Sequence, residues 1–146
     1  MPSTPEKRSP SAPGELLLRS LPMPTDTSFN GDVFGGWIMS QLDLAGSILA
    51  KITTHTRTTT VSVGTMKFIR PVRVGDVVSC YGTVERVGTT SLTIRLEMWV
   101  LPILPERENA FQEAKVTETT ITYVSLGDDG KKKVIAKDRI PPHLIN

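Results

Sequence analysis

One stretch constrains this chain more than any other. From about Gly36 to Lys51 apolar residues recur at helical spacing, and no later segment repeats that period. At 100° per residue, Ile38, Leu42, Ala45 and Leu49 share one face, flanked by Met39 and Gly46. Ser40, Asp43, Ser47 and Lys51 form the opposite stripe. Trp37, Leu44 and Ile48 widen the apolar zone past half the circumference, so this helix is expected to lie nearly enveloped in the core. At 1.5 Å per residue it is about 22 Å long, a length that strands of about ten residues can curl around.

Strands follow. Thr58 to Ile69 is rich in β-branched residues, and Val77 to Val87 comes after a loop of Arg70, Pro71, Val72, Arg73, Val74, Gly75 and Asp76. The clearest alternation sets Leu92, Ile94, Leu96, Met98 and Val100 against Thr93, Arg95 and Glu97, with Gly88 marking the turn before it. Ala114 to Val124 is the last long strand. Gly127, Asp128, Asp129 and Gly130 signal a turn into a short strand at Val134 to Ala136. Ahead of the helix, a short strand is expected over Leu16 to Leu21, then a loop dense in Pro, Asp, Asn and Gly from Pro22 to Phe34. Residues 1–14, rich in Pro and Ser, are expected to form a disordered tail, and residues 15–146 a single domain. The fold class is therefore α+β, an antiparallel sheet wrapped around one long central helix. A long apolar sheet edge invites pairing with another copy, so a dimer is expected.

Several function classes fall away. A net charge of +2 and 5% aromatic residues give no basic, aromatic-lined groove for nucleic acid, and Lys131 to Lys133 read as a solvated segment after a turn. The single cysteine, Cys80, excludes an intrachain disulfide and is expected to be a buried, inert thiol in a strand. No apolar run approaches the roughly 20 residues of a membrane span. Leu16 to Leu18 are too few for a signal peptide, so a cytoplasmic protein without membrane contact is expected. His55 and His143 have no acidic or thiol partner at ligand spacing, which argues against a metal site. The G-x-S-x-G elbow of a serine hydrolase is absent.

The chemistry concentrates in Asn30-Gly31-Asp32-Val33-Phe34-Gly35-Gly36-Trp37, running into Gln41-Leu42-Asp43-Leu44-Ala45-Gly46. Gly35 and Gly36 at a helix start either permit a tight junction or leave first-turn N–H groups open to a ligand oxygen. An oxyanion forming there would be stabilised by about 3 kcal/mol per donor. Asp43 lies seven residues past Gly36, within about 20° of the same face. An acid in a mostly apolar helix is either solvated or salt-bridged, or it works as a general base or nucleophile.

Four blocks in order carry a resemblance: Asn30 to Gly46, Met66-Lys67-Phe68-Ile69-Arg70-Pro71, Val74-Gly75-Asp76-Val77-Val78, and Val87-Gly88-Thr89-Thr90-Ser91. Together they resemble the YciA-type acyl-CoA thioesterases, over about Leu16 to Ile135. The resemblance implies a hotdog fold, a homodimer as the basic unit, often a hexamer built as a trimer of dimers, and sites at subunit interfaces. It implies hydrolysis of acyl-CoA to free acid and coenzyme A, with no cofactor beyond the coenzyme A of the substrate. Asp43 matches the catalytic helix aspartate, and Gly35 and Gly36 match the backbone donors near the thioester. Arg70 and Val87, Gly88, Thr89 and Thr90 fall where relatives approach coenzyme A. Relatives commonly carry Asn where this chain has Ser28, so Ser28 and Asn30 are candidates for that loop's role. Two rivals stand beside this reading, a non-catalytic acyl-CoA-binding sensor and a hotdog hydratase or dehydratase.

Overall fold

The computed structural model describes residues 14–144. Strand β1 (Glu15–Ser20) leads through a loop into helix α1 (Gly35–Thr54), followed by β2 (Arg57–Val63), β3 (Asp76–Val87), β4 (Ser91–Pro102) and β5 (Ala114–Leu126). The five strands form one antiparallel sheet in the order β1-β3-β4-β5-β2, and α1 packs across all five. This is the α+β hotdog architecture that the resemblance implies. The expected disorder of residues 1–14 lies, Gly14 apart, outside the described residues.

Alternation in β4 places Leu92, Ile94, Leu96, Met98 and Val100 under the helix, where they meet Ile38, Leu42, Ala45 and Leu49. Val78, Cys80 and Val84 of β3 and Ile121 and Tyr123 of β5 complete that layer. Beyond β5 the chain turns at Gly127 to Gly130, with Gly130 at φ 79°, and Ile135, Ile140 and Leu144 return to the same core.

Four expectations need correction. The helix runs three residues past Lys51, to Thr54; Thr53 and Thr54 are buried there and satisfy their hydroxyls on the carbonyls of Leu49 and Ala50. It then ends on His55 in the left-handed region at φ 57°. In one chain the helix is not enveloped: Met39, Leu44 and Ile52 are about half exposed. The strand expected over Thr58 to Ile69 stops at Val63. Past it, Gly64 N–H meets Thr120 O at 2.8 Å and Ile69 N–H meets Val116 O at 2.8 Å, so five steps of one strand oppose four of the other. The surplus residue breaks the ladder as a bulge does. Finally, Val134 to Ala136 is not a strand. The chain leaves β5 after Lys133, and Ile135 N–H donates instead to Thr89 O at 2.8 Å.

No helix among the described residues is long and apolar enough to cross a membrane, and among them no cluster of His, Cys, Asp and Glu could hold a metal ion.

Candidate active site

Asp43 sits midway along α1, half-buried, where the helix lies over the adjacent strands β5 and β2. The Thr60 hydroxyl, from β2, donates to Asp43 Oδ1 at 2.7 Å. The Tyr123 hydroxyl, from β5, lies 3.0 Å from the same Oδ1 and 2.9 Å from the main-chain oxygen of Asp43. Both side-chain bonds fall on one oxygen of the carboxylate. Tyr123 is fully buried, and burial together with the neighbouring Asp43 charge pushes its hydroxyl far above the ordinary phenol range. It therefore stays a proton donor at every ordinary pH.

Gly35 and Gly36 are the first two residues of α1, and their N–H groups have no intrahelical acceptor. Phe34, the preceding residue, offers no side-chain cap. Neither glycine has a positive φ. A Cβ on Gly36 would meet nothing within 4 Å, and one on Gly35 would touch the Phe68 ring at an ordinary 3.5 Å. Neither conformation nor crowding within one chain thus requires glycine at these positions. By contrast Gly31, at φ 90°, is required by the turn of the loop itself.

Gly36 and Asp43 are about 10 Å apart along the helix axis, and first-turn N–H groups point away from the helix body. A carbonyl oxygen held by Gly36 is then about 13 Å from the level of Asp43, beyond the reach of one bridging water. A single helix cannot bring both groups to one carbonyl.

The other candidates separate. Ser28 and Asn30 turn inward on their own loop. The Ser28 hydroxyl bonds Asn30 Oδ1 and, at 3.2 Å, Asp32 O, while Asp32 N–H meets Asn30 Oδ1 at 3.3 Å. The loop is tied to the next by Arg73 on Asp32 at 3.1 Å and by Val33 N–H on Val72 O at 2.8 Å. Arg70 donates through Nε to Lys115 O at 2.6 Å and lines a cleft of about 210 Å³ with Arg73, Arg107 and Asn109 beside Val100 and Pro102. Val87 closes β3, and Gly88, Thr89 and Thr90 form the turn into β4. There Gly88 N–H bonds Ser91 O at 2.7 Å, and the carbonyls of Thr89 and Thr90 accept from Ile135 and Ser125. Arg70 and this turn therefore stand at opposite ends of β4, roughly 30 Å apart at 3.3 Å per residue. Asp43 is at the turn's end of the sheet, since Tyr123 pairs with Leu92.

The sequence reading missed Thr60 and Tyr123. Thr60 is one of three consecutive threonines in a β-branched run, so nothing marks it out. Tyr123 carries a faint signal: a tyrosine at a core-facing strand position must find a partner for its hydroxyl.

The family model of the thioesterase superfamily matches residues 30–103. The acyl-CoA thioester hydrolase YciA of Salmonella typhimurium is 51% identical over 120 residues, 82% of this chain and 89% of that protein. This chain belongs to the thioesterase superfamily. Within that superfamily, YciA of Escherichia coli is 48% identical over 122 residues, 84% of this chain and 91% of its own length. Among superfamily structures, the hexameric broad-specificity acyl-coenzyme A thioesterase HI0827 superimposes with a TM-score of 0.82 at 43% identity, covering 94% of this chain and 91% of that one. The hexameric thioesterase y2039 of Yersinia pestis gives 0.80 at 46% identity, covering 85% and 98%.

Proposed function

We propose that this chain hydrolyses the thioester of acyl-CoA, releasing a free carboxylic acid and coenzyme A, with Asp43 directing the attacking water. One observation carries the reading: a half-buried helix carboxylate has one oxygen tied by two hydroxyls, so its other oxygen is left to act on a ligand. The names of the YciA and HI0827 proteins support the same chemistry, and an acid so placed favours catalysis over a sensor that only binds. Neither histidine lies at this site, which disfavours the hydratase reading.

In the step itself, Asp43 takes a proton from water as the oxygen attacks the acyl carbon. The carbonyl oxygen becomes an oxyanion held by the Gly35 and Gly36 N–H groups, and its collapse expels the coenzyme A thiolate. Because one helix cannot supply both acid and donors, the complete site takes Asp43 from one copy and the glycine pair from another. Coenzyme A spans the same boundary: Arg70 and the Gly88 to Thr90 turn, at opposite ends of β4, meet one molecule only from different chains. The half-exposed Met39 and Leu44 and the apolar edge residues Val61 and Val63 are the surface for that pairing. Assembly into a hexamer, the state named for HI0827 and y2039, follows the same logic. The reaction needs no cofactor.

Asp43→Asn keeps the size and loses the base, so turnover should fall by at least about a hundredfold with the fold intact. Thiol release from a panel of acyl-CoAs measures it. An undiminished rate in the variant, or no thiol release by the native protein, overturns the proposal.

A further inference from the structure

We propose that Tyr123 is a positioning residue for Asp43: its hydroxyl, seated against Gly46, pins Oδ1 and leaves Oδ2 as the oxygen that faces the substrate. The inference rests on the reading of Asp43 as the base and adds to it which oxygen reacts and what selects it.

Three observations converge. First, α1 comes closer to β5 at Gly46 than any side chain would allow. A Cβ there would stand 2.9 Å from Tyr123 Cζ and 3.0 Å from Leu96 Cδ1, and closer still to the Tyr123 hydroxyl. That glycine, three residues past Asp43, is therefore required by a contact, unlike Gly35 and Gly36. Second, the hydroxyl admitted by the gap spans the main-chain oxygen and Oδ1 of the same aspartate, which fixes the side chain relative to its own backbone. Third, Thr60, the cross-strand partner of Tyr123 on the neighbouring strand β2, adds a second donor to the same Oδ1. Turning the carboxylate part-way about its last bond would break both contacts, so its plane is fixed with one oxygen held and the other left free.

The surroundings keep Tyr123 in that role. Burial and the adjacent carboxylate hold its proton in place, while a hydrogen bond with the Ser47 side chain works the other way. The phenol hydrogen is left to Asp43, whose main-chain oxygen and Oδ1 lie 2.9 and 3.0 Å away.

A residue that merely fills the core would change stability and substrate affinity together, whereas a positioning residue changes the chemical step. Steady-state thiol release from the acyl-CoA hydrolysed fastest, with thermal unfolding alongside, separates them. Tyr123→Phe keeps the ring and should lower kcat about ten- to a hundredfold with KM within about twofold. Gly46→Ala displaces the hydroxyl without removing it and should produce the same split, and it carries the test if Tyr123→Phe does not fold. In the Asp43→Asn background, Tyr123→Phe should cost nothing further. Wild-type kcat in both Tyr123→Phe and Gly46→Ala overturns the positioning role and, with Asp43→Asn still slow, leaves the base in place. Equal proportional losses with and without Asp43 also overturn it. An active Asp43→Asn enzyme removes the base itself.

Discussion

Cys80 faces the core from β3 with 1% of its surface exposed, and burial pushes its thiol up to about 12 from 9.0. At pH 8 the thiolate is then roughly one part in ten thousand. Iodoacetamide should leave the native protein unlabelled and fully active, and modify it only after denaturation; rapid labelling of active protein would contradict this. A thiol raised on folding contributes stability that is complete below about pH 9 and lost as pH climbs toward 12. Cys80 was legible in the sequence because a lone thiol inside a β-branched run has one ordinary place to go. Asp43 was legible for the opposite reason, as a charge where the helical period asks for little polarity. Thr60 and Tyr123 were not, since each obeys the pattern of its own strand and meets Asp43 only through tertiary packing.

At the scale of elements, the helix was legible because its 3.6-residue period is unique in the chain. The bulge past Val63 was not, since Thr65, Met66, Phe68 and Ile69 suit a strand as well as any residues before them. The break comes from a count mismatch against β5, which no local propensity records. The segment from Ile103 to Glu113 likewise carries no periodic signal, and charge fixes it. Arg107 reaches the fully buried Asp76 at the start of β3, Nη2 to Oδ2 at 2.9 Å, and Phe111 N–H closes the loop on Pro102 O at 2.6 Å. Burial raises the Asp76 carboxyl above its usual value, against the lowering by the Arg73 amide and Arg107. Arg107→Ala would strand that charge and should destabilise by about 3–5 kcal/mol near neutral pH. A carboxyl raised on folding keeps its stabilising contribution below about pH 3.8 and loses it as pH rises through the folded value. The deficit of the variant should therefore shrink toward pH 4, as urea unfolding at several pH values would reveal. A pH-independent deficit would rule this out.

For the whole molecule, the spacing of Gly36 and Asp43 makes a prediction that no single chain can satisfy. Gly36→Pro removes one N–H in the first helical turn, where proline is tolerated and nothing crowds the position. Alone it should slow turnover about a hundredfold or more. Co-refolded in equal amounts with Asp43→Asn, it should recover about a quarter of native activity. Half the pairs are then mixed, and each mixed pair holds one intact site of two. No recovery would mean that acid and donors belong to one chain. The closed turn at Gly88 to Thr90 has a different reach. Its carbonyls are held by Ser125 and Ile135, the latter about 45 residues downstream of Thr89. During translation the β3–β4 hairpin emerges first, with that turn unanchored, and its shape is settled only when the C-terminal segment leaves the ribosome and folds back. The shape of that corner is thus tied to late events in synthesis, and a chain cut short before Ile135 would leave the turn between β3 and β4 loose.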